Sequence, residues 1–152
     1  RYKSDPYANI GTFVETIKNN APDDLVYLVE DSFEKITLYE NKAKKASAIK
    51  NPDGTYRVNF TVEAKKVYSD SLGKQTVAVL NDWLEVGVFG NVEIDGIKQE
   101  APIYLKKVMI KDSISTYSFD VDQKPIKAGI DPMSKFVDRD IDDNMIRVDI
   151  VD

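Results

Sequence analysis

The chain contains no cysteine and no histidine. Without cysteine there is no disulfide, no thiolate nucleophile and no zinc–thiolate site. Without histidine the commonest metal ligand and the usual general base near neutral pH are missing. Any catalysis would rest on carboxylates, lysines or tyrosines. The missing disulfides leave the compartment open.

Other absences narrow the field further. No apolar run approaches the ~18–20 residues that span a bilayer, and no signal-peptide pattern follows Arg1. Gly87, Gly90 and Gly96 are isolated, read as turn or strand-end residues, and make no phosphate-binding loop. No serine sits in a Gly-x-Ser-x-Gly elbow. The formal charge of −5 argues against nucleic acid, which requires a concentrated basic footprint. The lysines at 42, 44, 45, 65 and 66 stand among acids or at the end of an element and read as a solvated face.

What remains is a chain of 152 residues, 42% hydrophobic and 31% charged, enough for one domain with a core and a soluble surface. It opens at Arg1 without an initiator methionine and stops at Asp152 directly after an apolar, strand-like stretch. That pattern reads as a fragment excised from something longer.

Two helices are expected at the start. Asp5-Pro6 supplies a cap with proline in the first helical position, and Ile10, Phe13, Val14 and Ile17 follow at helical spacing up to about Asn19. A second start lies at Ala21-Pro22-Asp23-Asp24, with two carboxylates suited to the helix dipole. From there Leu25, Val29, Phe33, Ile36, Tyr39 or Glu40, and Ala43 step by three or four, which predicts one helix of about six turns. Asp31 with Lys35 and Glu40 with Lys44 would be helical ion pairs four apart. Asn51-Pro52-Asp53-Gly54 would stop this helix.

After Gly54 the period changes to two. Tyr56, Val58, Phe60, Val62 and Ala64 alternate with Arg57, Asn59, Thr61, Glu63 and Lys65, the pattern of an antiparallel strand with one wet face. The stretch Ser69 to Gly73 reads as a hairpin loop, with Gln75 to Leu80 returning. Further strands are expected at Trp83 to Phe89, Ile103 to Ile110, Ile114 to Val121 and about Met145 to Val151. Trp83 reads as a core anchor. The strands and turns predict a sandwich or barrel.

The acid-rich stretch Asp138 to Asn144 is the first candidate for chemistry. With Asp138 as position 1, Asp140 and Asp142 fall at positions 3 and 5 and Asp149 at position 12, as in a calcium loop. Against it, position 6 is Asp143 where glycine is needed, position 12 is aspartate, and the flanks are not helices. Asp138, Asp140 and Asp142 remain weak metal candidates. The plainer reading is an acid-rich loop with local side-chain-to-backbone bonds and an Arg139 ion pair. Paired carboxylates for glycoside chemistry carry no specific signal among 26 acids.

Several stretches carry a resemblance: Pro22 to Leu25, Phe33 to Tyr39, Asp53 to Val58, and Asn81-Asp82-Trp83-Leu84-Glu85-Val86-Gly87-Val88-Phe89. Lys124 to Pro132, with its Ala-Gly-Ile-Asp-Pro word, then Val137-Asp138-Arg139 and Asp142-Asp143-Asn144 complete the pattern. Over about residues 5–150 it resembles the C-terminal region of bacterial proteins that join an ABC-2-type membrane permease to an aminopeptidase N-like zinc metallopeptidase. The His-Glu-x-x-His helix and the Gly-x-Met-Glu-Asn loop of that family do not occur here, so no catalytic or zinc-binding role is carried to any residue.

The resemblance implies a non-enzymatic accessory module that follows the peptidase domain. Zinc is expected in the parent's catalytic domain and no cofactor in this fragment. The expected fold is α+β, with a helical lead-in over residues 1–52 and an antiparallel, immunoglobulin-like β-sandwich of about six or seven strands over 53–152. The parent peptidase domain is the expected partner, and self-association into a homo-oligomer is compatible with this. Nucleic acid and direct membrane insertion are not expected. The fragment itself would be soluble, and extracytoplasmic or membrane-associated through its parent. Asp131, Arg139 and Asp143 are the expected structural brace of the long Lys124–Asn144 segment, packing it on the sandwich edge or on the parent's peptidase domain. An independent glycan- or peptide-binding sandwich is the alternative, and a carboxylate hydrolase the third reading.

Overall fold

The structure is a computed structural model that describes residues 9–151. The expected Asp5-Pro6 cap lies outside them. Helix α1 spans Ile10–Asn20, and the carboxamide oxygen of Asn9 caps it by accepting the Thr12 N–H at 3.0 Å. A 3₁₀ turn at Asp23–Leu25 leads into helix α2, Val26–Phe33.

Here the expected second helix is corrected. It stops at Phe33, and Ile36–Lys50 is a fifteen-residue strand, β1. Tyr39, Asn41 and Ala43 are buried at period two, Lys44 and Lys45 are both exposed, and Ala46 and Ala48 resume the buried side. That two-residue step sets Ala43 and Ala46 three apart, and a buried asparagine interrupts the apolar row. Together they imitate a helical stripe. The helix-to-strand change therefore falls well before residue 52, and Asn51 to Thr55 form a hairpin loop in which the Asn51 N–H bonds to the Thr55 carbonyl at 2.8 Å. The expected Glu40–Lys44 helical pair is absent; Glu40 pairs with Lys65 and Arg139, and Lys44 with Glu63.

The other strands are β2 (Tyr56–Ser69), β3 (Gln75–Ala78), β4 (Asp82–Ile94), β5 (Ile97–Ile110), β6 (Ile114–Val121), β7 (Pro125–Ile130), β8 (Met145–Arg147) and β9 (Asp149–Val151). They form two sheets. One runs β3-β2-β1-β9 with β6 also on β2, and the other runs β5-β4-β7-β8. The alternation predicted from Tyr56 onward is the one observed, with Val58, Phe60, Val62 and Ala64 at most 1% exposed. Strands β4 and β5 form a long hairpin that turns at Asp95-Gly96, both at positive φ (52° and 78°) as a tight two-residue turn requires.

The final strand expected from Met145 to Val151 is two short strands. Strand β8 pairs with β7, whereas β9 pairs in parallel with Ser47, Ala48 and Ile49 of β1 in the other sheet. The crossing is pinned at buried Val148, whose N–H bonds to the Ile126 carbonyl at 2.8 Å. Three further corrections concern β4. Gly87 and Gly90 lie inside the strand rather than at turns or strand ends. Each is crowded by a neighbour: a Cβ on Gly87 would stand 3.1 Å from Leu105, and one on Gly90 3.0 Å from the Lys124 carbonyl. Trp83 is 38% exposed, because Asp82 and Leu84 take the inward positions on either side.

The chain divides into two compact units. The smaller comprises Arg1–Thr37 with Tyr68–Thr76. Within it Lys18 bridges Glu30 and Glu34, Phe13 meets Phe33 edge to face at 5.9 Å, and buried Asp31 accepts the Tyr68 hydroxyl at 2.9 Å. The larger comprises Leu38–Val67 with Val77–Asp152. Its core draws Ala46, Ala48, Val58, Phe60 and Val62 from one sheet and Leu84, Val86, Val88, Ala128 and Ile130 from the other.

Candidate functional site

The Lys124–Asn144 segment, read from sequence as one ordered excursion, contains β7 and then a connection laid along β1. Asp131 sits at its bend with φ of 42° and is 1% exposed. Its carboxylate accepts the N–H groups of Lys135 and Phe136 at 3.0 and 3.1 Å, and its own N–H donates to the Glu85 carbonyl at 2.7 Å. The carboxylate thus closes the turn that sets Phe136 against Tyr39, ring centroids 4.9 Å apart. Burial pushes the Asp131 carboxyl up, and the two N–H groups only partly offset it.

Beyond Phe136 the chain reaches the edge of β1 that β2 does not occupy. The Tyr39 N–H donates to the Val137 carbonyl at 2.8 Å, and the Arg139 N–H to the Tyr39 carbonyl at 3.2 Å. Asp138 uses both carboxylate oxygens, accepting the Asn41 N–H at 2.9 Å and the Asp140 N–H at 3.1 Å. Side chains continue the attachment. Glu40 receives Arg139 and Lys65 at 2.8 Å each, and Lys42 meets Asp143 at 2.6 Å. Asp143 pushes the Lys42 ammonium up, and Lys44 holds Glu63 below the usual carboxylate range. A depression of about 370 Å³ lies over this network, lined by Glu40, Lys42, Glu63, Lys65, Arg139 and Asp140 among others.

Asp131, Arg139 and Asp143 therefore all act within this one connection, although each holds a different partner. The Arg139 ion pair expected among the loop's own acids reaches Glu40 of β1 instead. Asp138, Asp140 and Asp142 do not converge. Asp138 is spent on backbone N–H groups, Asp142 is exposed in a 3₁₀ turn at Ile141–Asp143, and Asp149 lies in β9. Among the described residues no group of three or more acids is placed to hold a metal ion.

Among the described residues the aromatic side chains do not form an outward platform on the sheet. Tyr104 stacks on Phe119 at 4.3 Å, Tyr117 and Phe60 adjoin Phe119, and all are buried or half-buried against the core. Burial pushes the Tyr104 and Tyr117 hydroxyls up. Of the neighbouring buried acids Glu85 and Asp131, Asp131 closes its turn, while Glu85 pairs with Lys135 through Oε1 and its buried Oε2 has no hydrogen-bond partner among the described residues.

One enclosed polar cluster was not foreseen. Oδ1 of Asp82 accepts both the Lys66 ammonium at 2.8 Å and the Tyr39 hydroxyl at 3.0 Å, and Oδ2 accepts the Asn81 N–H at 3.0 Å. Asn41 and Asn144 are also fully enclosed, and neither carboxamide has a hydrogen-bond partner among the described residues. A signal for the cluster was present. Lys66 continues the inward row 58, 60, 62, 64, and Asp82 begins the inward row continued by 84, 86 and 88.

No family model matches this chain, and no curated protein or solved structure matches it. No helix among the described residues is long and apolar enough to cross a membrane.

Proposed function

We propose that the chain is a non-catalytic C-terminal module of a larger, membrane-associated aminopeptidase-like protein, whose two sheets form an immunoglobulin-like sandwich and whose helical unit docks on the parent. The parent's peptidase domain would carry the zinc and be the direct partner. The observation that carries this reading is the apolar surface of the helical unit, where Ile10, Phe13 and Phe33 are 70%, 52% and 50% exposed. Apolar side chains grouped in this way mark an interface.

The commitment of the larger unit's acids agrees with it. Asp131, Asp138, Glu85 and Glu40 are each engaged by backbone or lysine and arginine partners, which suits a rigid support more than a proton-transfer site. The inward aromatic ladder likewise offers nothing to the glycan-binding alternative.

The test begins with the coding sequence upstream, where a His-Glu-x-x-His motif is expected. Its absence there would overturn the reading. With the motif present, Phe13→Ser combined with Phe33→Ser is expected to weaken binding to the peptidase domain by at least tenfold. The melting transition of the sandwich unit should stay in place.

A further inference from the structure

The Lys66–Asp82–Tyr39 cluster plays no part in that docking role, and its geometry suits a reaction. The Lys66 and Asp82 side chains are 4% and 0% exposed, with the ammonium nitrogen 2.8 Å from Oδ1. They stand on β2 and β4, strands of different sheets. The pair therefore spans the core rather than decorating a surface.

Three features of the cluster favour condensation. The ammonium and the carboxylate are in direct hydrogen-bond contact, so the passage of one proton from the nitrogen to the carboxylate gives a neutral amine and a carboxylic acid. The lysine nitrogen then stands 2.8 Å from Oδ1, an atom one bond away from the carboxyl carbon, and a small rotation of either side chain is what near-attack geometry requires. Finally, each carboxyl oxygen already faces a donor, the Tyr39 hydroxyl at Oδ1 and the Asn81 N–H at Oδ2, where negative charge develops as the tetrahedral centre forms.

We propose that Lys66 and Asp82 condense into an intramolecular isopeptide bond joining β2 to β4. The Lys66 lone pair attacks Cγ of Asp82, and a C–N bond forms. One carboxyl oxygen then leaves as water, carrying its own proton and one released by the nitrogen. Tyr39 relays that proton through its hydroxyl, giving one and taking one back. The second nitrogen proton stays on the amide. Nothing is oxidised or reduced and no co-reactant enters. In a chain without cysteine, this bond would be the covalent tie between the sheets.

Intact-mass measurement of the purified, folded chain tests the proposal. The expected mass is one water below that of the sequence, and a protease digest should yield a branched peptide joining the Lys66 and Asp82 segments. Lys66→Arg should restore the full mass. Tyr39→Phe should slow the loss of water after refolding by about a hundredfold, the lower range for a positioned proton-transfer group. A wild-type chain at full sequence mass overturns the proposal. So does a water loss that persists in Lys66→Arg, as cyclisation at Asp95-Gly96 would produce. If Lys66→Arg does not fold, the branched peptide in the wild-type digest decides by its presence or absence.

Discussion

The backbone carbonyl of Asn144 occupies the place where a Cβ on Gly129 would stand. The same carbonyl accepts the Ile130 N–H at 3.0 Å, so the approach is held by the β7–β8 ladder and cannot open without losing a sheet hydrogen bond. The sulfur of Met145 crowds the site from the side, at 2.7 Å from that position.

Gly129→Ala should therefore cost more than an ordinary glycine replacement in a strand. Overpacking of a closed site costs about 1–3 kcal/mol and sometimes more, and here the obstacle is backbone rather than a flexible side chain. A lowered urea midpoint with an unchanged slope would report it. A variant as stable as the parent would mean that β8 does not lie where it is described.

Asp131 carries a pH dependence opposite in sign to that of most paired carboxylates. Burial raises its folded pKa above the ordinary 3.8, so between those two values the native state binds more protons than the unfolded chain. Stability contributed at this site is accordingly greatest at acid pH and declines as pH rises through that window. Asp131→Asn removes the titration and leaves a constant loss of hydrogen bonding. Its cost in urea unfolding should thus be larger at about pH 3 than at about pH 7. The reverse order would show that the Lys135 and Phe136 N–H groups outweigh burial and hold the carboxyl down. Coulombic repulsion from Asp138 and Glu85 acts in the same direction as burial.

How legible this was depended on whether inward positions were apolar. Strand β2 was readable because Val58, Phe60, Val62 and Ala64 hold the inward face without interruption. Strand β1 was not, since Asn41 breaks its inward row and the exposed Lys44-Lys45 step shifts the phase. Alanine, lysine and glutamate also favour helix, so local propensity and the three-residue spacing pointed the same wrong way. Tertiary pairing with β2 and β9 decided otherwise. The brace residues were legible as charges in a restricted segment, but their partners on β1 were not, because the strand bearing Glu40 and Lys42 carries the spacing of a helix. The Asp95-Gly96 hairpin was a missed signal of the ordinary kind, an aspartate–glycine pair between Ile94 and Ile97.

Trp83 gives a direct optical check on the phase of β4. It is the only tryptophan, and 38% of it is exposed while Leu84 is fully enclosed. Acrylamide should quench the native emission appreciably, and unfolding should move the emission maximum only modestly to the red. A blue, unquenchable native emission would place the indole in the core and reverse the inward and outward faces of the strand.

The connection along β1 makes the last prediction, since it covers backbone that would otherwise be an open sheet edge. Strand β9 covers β1 only at Ser47 to Ile49. Nearer the start of the strand that task falls to Val137, which accepts the Tyr39 N–H, and to the Asp138 carboxylate, which accepts the Asn41 N–H. An uncovered edge invites pairing with another chain. Asp138→Ala removes the acceptor of Asn41 and the bond to Asp140 that folds the segment inward. Amide exchange at Asn41 should rise by at least tenfold, with a smaller rise at Tyr39. Exchange at Val58 and Phe60 in the centre of β2 should not change, because their protection depends on global unfolding. Arg139→Ala leaves the Val137 carbonyl and the Asp138 carboxylate in place and removes a half-exposed pair with Glu40, so its effect on Asn41 exchange should be slight. Equal acceleration in the two variants would mean that side-chain charge, not the Asp138 bond to the backbone, holds the segment on the edge.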